Sequence, residues 1–78
     1  MDVLLISNQM GDWEALYVNG KIVDQNHEID RFDLLRAAEN YDFDSDDIRC
    51  GVINDEDDEI AGDYGSFPEF TSEFKGEY

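Results

Sequence analysis

Apolar and polar positions change period several times along the chain, and each change predicts an element. Val3-Leu4-Leu5-Ile6 is an unbroken apolar run closed by polar residues from Ser7 to Asp12, which reads as a largely buried strand followed by a turn. Two short strands, Trp13 to Val18 and Lys21 to Gln25, flank Asn19-Gly20, a dipeptide that accepts the positive φ angles of a type I′ hairpin turn. The two-residue loop sets a register in which Val18 opposes Lys21, Tyr17 opposes Ile22 and Leu16 opposes Val23. Trp13, Ala15, Tyr17 and Ile22 then share one face, and Leu16, Val18 and Val23 the other. Both faces are partly apolar, so the pattern leaves open which one meets the core.

Asp30 is the expected N-cap of a helix from residue 31 to about residue 40, with Asp33 in the capping-box position and Ile29 and Leu34 in the staple positions. Leu34, Leu35, Ala38 and Tyr41 form its expected buried stripe. Ile48, Cys50 and Val52 alternate with Arg49, Gly51 and Ile53, predicting a fourth strand packed under the helix with Cys50 as a buried, inert thiol. Residues 54–59 read as an acidic turn and residues 59–64 as a fifth strand weakened by Gly62 and Gly65. Ser66-Phe67-Pro68-Glu69 has the form of a second capping box, and Phe70 and Phe74 at i, i+4 extend it into a short C-terminal helix ending near Gly76. Together these elements predict one α+β domain over residues 1–78: a small antiparallel sheet containing the hairpin, one packed helix and a short C-terminal helix.

Composition predicts that such a domain folds. At 41% hydrophobic and 13% aromatic, the chain is too apolar for an acidic disordered segment. Its 78 residues suit one small domain and exclude a large pocket between domains. A lone cysteine excludes an internal disulfide framework and a cysteine-based zinc cluster, and fits a reducing compartment. No apolar run reaches the ~18 residues needed to cross a bilayer. Met-Asp-Val-Leu-Leu-Ile lacks the positive flank of a signal peptide, so a cytoplasmic location is expected.

Charge changes the picture most. The chain carries 21 acidic against 5 basic residues, a formal charge of −16. Solubility asks for a magnitude of only roughly 2 to 8, so the surplus points to a partner. Residues 42–78 hold −11 of it and residues 1–41 only −5. The sign disfavours direct binding to nucleic acid or to anionic lipid. Two runs concentrate the charge: Asp42, Asp44, Asp46 and Asp47 just after the helix, and Asp55-Glu56-Asp57-Asp58-Glu59. The first lies where the negative end of the helix dipole makes anions unfavourable. If extended, it would set Asp42, Asp44 and Asp46 on one side at intervals of roughly 6.6 Å.

Each run alone reads as a solvated loop; two together with a global −16 suggest imitation of a nucleic-acid backbone. Proteins that bind duplex DNA present basic grooves to a charge every ~1.7 Å of axis. A compact array of carboxylates would enter such a groove and exclude DNA or RNA, with fast, salt-dependent capture. Phe43, Tyr64, Phe67, Phe70, Phe74 and Tyr78 could add apolar anchors, although a domain this small needs most large side chains inside. The expected partner is therefore a basic nucleic-acid-binding protein or effector complex.

In size, acidity and α+β make-up the chain resembles the small nucleic-acid-mimic inhibitors of phages and mobile elements, of the anti-restriction and anti-CRISPR type. Those inhibitors share no motif, so the resemblance implies a mode of action in a host-cell cytoplasm and no residue roles. Trp13-Glu14-Ala15-Leu16-Tyr17-Val18-Asn19-Gly20-Lys21 separately resembles the opening hairpin of small phage proteins.

Other chemistries fit less well. Asp42, Asp44 and Asp46 match EF-hand positions 1, 3 and 5, but Asp47 stands where Gly is required and Ile53 where a bidentate Glu belongs. A looser divalent-cation module, or an acidic adaptor that recruits a basic protein without blocking nucleic acid, is the competing reading. Catalysis needs a carboxylate held in a pocket that shifts its pKa, and the chain offers little volume for one. His27 reads as an exposed turn residue, and phosphate-binding Gly-rich loops are absent. No enzyme, metal or cofactor is expected.

Overall fold

The computed structural model describes all 78 residues. The first apolar run becomes β1 (Val3–Ser7), and the hairpin joins β2 (Glu14–Val18) to β3 (Lys21–Asn26). Asn19 and Gly20 sit at φ 52° and 84°, the left-handed pair that a type I′ turn requires. Then follow α1 (Arg31–Tyr41), a single 3-10 turn (Ser45–Asp47), β4 (Ile48–Val52), α2 (Asp55–Tyr64) and a second 3-10 turn (Thr71–Glu73). The four strands form one sheet in the order β3-β2-β1-β4.

The α+β class holds, but the sheet is mixed: β2 runs antiparallel to β1 and β3, while β4 lies parallel to β1. α1 is the cause. It carries the chain from the β3 edge across the sheet to the opposite edge, and such a crossover delivers a strand in parallel orientation. The hairpin register holds at Val18 opposite Lys21 and Tyr17 opposite Ile22, then shifts, so that Leu16 faces Asp24 and not Val23. Val23 is the extra residue of a β-bulge, which the sequence pattern does not announce.

Both faces of the sheet are covered, which answers the open question about the hairpin. Val3, Leu16 and Val18 pack with Ala37 of α1 and with Phe43. Leu4, Ile6, Ala15 and Tyr17 pack on the other side with Ile53, Phe67 and Phe74. Each such large side chain, once buried, contributes about 1.5–3 kcal/mol.

Asp30 caps α1 as expected, accepting from the Asp33 N–H at 2.9 Å while the Asp33 carboxylate accepts from the Asp30 N–H at 3.1 Å. The buried stripe is rotated from expectation. Ala37 is buried, Leu34 and Ala38 are half-buried, and Leu35 and Tyr41 are exposed. Leu35 follows Leu34 by about 100° around the helix, which turns it off the face where the small alanines approach the sheet.

The region after β4 departs most from expectation. Neither an acidic turn nor a fifth strand forms; residues 55–64 are helical, capped by Asn54, whose side chain accepts from the Asp57 N–H at 2.9 Å. Four acids in the first turn suit the positive end of the helix dipole, and Gly65 at φ 72° closes the helix. The C-terminal helix is replaced by an irregular tail with only the 3-10 turn. Its backbone is used elsewhere: the Ile22 N–H donates to the Glu69 carbonyl at 2.8 Å, and the Thr71 N–H to the Gly20 carbonyl at 2.9 Å. The tail thus covers the hairpin end of the β3 edge, with Phe70 bridged to Lys21.

Candidate acidic interface

The first acidic run begins where α1 stops. Asp42 adopts a left-handed conformation, φ 57°, and its N–H closes the helix on the Ala38 carbonyl. Phe43 then drops into the core, and the 3-10 turn follows at once. Because of that left-handed residue and the turn, Asp42, Asp44 and Asp46 do not form the extended ladder expected of them, although all three are exposed. The Asp47 carboxylate is half-buried and engaged locally, accepting from the Asp44 N–H at 2.9 Å and lying 3.6 Å from the N-terminal ammonium.

The second run is the opening of α2, and helical geometry divides it. Asp55 and Asp58 reach back to the loop after β1: Asp55 accepts from the Gln9 side-chain amide at 2.6 Å and Asp58 from the Gln9 N–H at 3.0 Å. Glu56 and Glu59 are exposed and make no hydrogen bond within the chain. Asp57 is 3% exposed, the one buried charged residue. It accepts from the Lys75 N–H at 2.7 Å, the Gly76 N–H at 2.9 Å and the Tyr78 hydroxyl. Asp57 therefore leaves the set of partner-binding residues; its carboxylate is consumed in pinning the tail.

Burial pushes the Asp57 pKa up, but the Tyr78 hydroxyl, the two backbone donors and the Lys75 charge outweigh it and hold the carboxyl below its ordinary value. Tyr78 is raised by burial and by its bond to Asp57. Tyr17, which donates to the Pro68 carbonyl at 2.6 Å, is raised by burial and by the Glu73 charge. The Asp57 clamp is the feature that sequence reasoning missed. Asn54 and Asp57, spaced as N-cap and third helical residue, were its available signal.

Of the aromatics considered as anchors, Phe43, Phe67 and Phe74 are core residues and Tyr78 is half-buried in the clamp, whereas Tyr64 and Phe70 are exposed. An open groove of about 800 Å³ runs between α2 and the tail, with Tyr64, Phe67 and Glu73 among its lining. Cys50 is exposed, contrary to expectation, because β4 is an edge strand that α1 leaves partly uncovered.

The two runs do not merge. They sit at opposite ends of β4, whose five residues span about 17 Å at ~3.3 Å each. That exceeds a Debye length of about 8 Å at physiological salt, so the runs repel each other little and act as two separate patches. Ion pairing neutralises few acids: only Asp2, Asp33 and Asp47 have a cationic partner within 4.0 Å. No three acidic, His or Cys side chains converge into a set able to hold a metal ion. No helix is long and apolar enough to cross a membrane. No protein-family model, curated protein or solved structure matches the chain.

Proposed function

We propose that this protein inhibits a nucleic-acid-binding enzyme or complex by occupying its basic groove with an acidic, backbone-like surface. One observation carries the reading: Asp42, Asp44, Asp46, Glu56 and Glu59 are exposed and have no cationic partner within the chain, on a molecule with a formal charge of −16. Carboxylates left in this state cost stability through self-repulsion and give their full attraction to an external cation. Asp47, Asp55 and Asp58 are partly engaged internally and contribute field more than direct contact. Inhibition is steric and electrostatic, without a chemical step.

The test is competition. A target captured at low salt from a host lysate is released by excess duplex DNA or RNA, and its affinity falls steeply as salt rises. Reversing Asp42, Asp44 and Asp46 to Lys abolishes capture while the fold persists. A stable ternary complex of this protein, its target and nucleic acid would instead identify an acidic adaptor, and unaltered capture by the reversed variant would overturn the electrostatic mechanism.

A further inference from the structure

The sheet has two edges, and they are treated differently. The β3 edge is covered at its hairpin end by the tail, through the Phe70 bridge and the bonds to Glu69 and Thr71. Nothing covers β4. In a parallel pair alternate residues give both backbone groups to the neighbouring strand. The Ile53 N–H donates to the Ser7 carbonyl of β1 at 3.0 Å, so Arg49, Gly51 and Ile53 face β1 while Cys50 and Val52 turn their N–H and C=O groups outward; the Ile48 N–H is already given to the Ser45 carbonyl of the 3-10 turn. The usual protections of an open edge are missing: the strand has no Lys, no Pro and no bulge, and the Arg49 guanidinium is held by Asp2 at 2.7 Å. Cys50 and Val52 side chains are exposed beside it.

We propose that the β4 edge is a docking site for an extended, basic segment of the partner protein, which adds to the sheet as a fifth strand. Charge complementarity selects this occupant. The edge is bracketed by unpaired carboxylates, with Asp44 and Asp46 before Ile48 and Glu56 after Val52, so a strand flanked at both ends by Arg or Lys satisfies backbone and charge together. A second copy of this chain would bring four acidic runs into one place, against a charge of −16 on each molecule. The inference deepens the proposed function and rests on it only for the sign of the partner's charge; the backbone geometry stands independently.

The probe is a synthetic peptide, Arg-Arg-Thr-Val-Thr-Val-Thr-Arg-Arg, added to the full chain labelled for amide hydrogen exchange. Slowed exchange at the outward amides of Cys50 and Val52 supports the inference. So does a loss of about tenfold in affinity when the peptide is N-methylated at alternate central residues, since one or two backbone hydrogen bonds are then forfeited. Cys50→Pro in the protein gives a loss of similar size, and the methylated peptide provides the same test should that variant fold poorly. No protection at those amides up to millimolar peptide overturns the inference, even where charge reversal of the acidic runs abolishes target capture. Equal binding of a peptide with glutamate ends overturns the basic occupant, and concentration-dependent protection without peptide assigns the edge to a second copy.

Discussion

The two acidic runs are alike in composition and opposite in circumstance. Residues 42–47 follow the C-terminus of α1, where the helix dipole is negative; residues 55–59 form the N-terminus of α2, where it is positive. In the first run the fold gains little from the charges, and three of the four carboxylates face solvent. In the second, one carboxylate is buried, two hold the loop after β1, and the whole run favours its helix. Density of acid along a sequence is thus a poor guide to purpose. The backbone around it decides whether a carboxylate is structural or left facing solvent.

The largest test of this contrast is Asp57→Ala. Removing the carboxylate orphans the Lys75 and Gly76 N–H groups and the Tyr78 hydroxyl, and should cost about 3 kcal/mol in urea denaturation. A loss below about 1 kcal/mol, the ordinary effect of a point substitution, would place Asp57 with the surface acids after all. The same clamp has a pH signature. The folded pKa of Asp57 lies below the unfolded value of about 3.9, so its stabilisation is complete above that value and fades as pH falls through the folded one. Unfolding free energies of the wild type and Asp57→Asn should therefore differ by a constant amount from neutral pH to about pH 5 and converge below about pH 4.

Next in size is the cap: Asn54→Ala should cost about 1 kcal/mol by the same measurement. The smallest effects form a mirrored pair. Neutralising Asp42 to Asn at the end of α1 should stabilise by about 0.3–0.5 kcal/mol, and neutralising Glu56 to Gln at the start of α2 should destabilise by about as much. Equal signs for the two would break the contrast outright. In a salt titration the Asp42 effect should shrink with added NaCl, as expected of an exposed charge.

Local chemistry was legible where one short motif decides the backbone. Asn19-Gly20 specifies the hairpin turn, and Asp30 with Asp33 specifies the start of α1. Tertiary context decided the rest. α2 was hidden because five successive acids resemble a solvated turn, and its apolar positions, Ile60, Ala61 and Tyr64, are too few to show a periodic stripe. The tail carried a plausible helix start, but bonding to the β3 edge and insertion of Phe67 and Phe74 into the core outweighed that local preference. Alternation in β4 correctly indicated a strand and wrongly indicated a buried Cys50, since period alone does not distinguish an edge from a centre. Of the expected acidic surface, the positions of the charges were legible; their division into exposed, tethered and buried members needed the α2 helix.

The sheet covered on both sides carries a consequence for variation over time. From Val3 to Ile6 and from Ala15 to Val18 neither face of the central strands is free, so nearly every change there meets packed neighbours. Tolerated change is pushed outward, to the outer flanks of the helices, the run after α1 and the open edge. A lineage built on this scaffold can therefore revise its surface repeatedly while its architecture stays fixed.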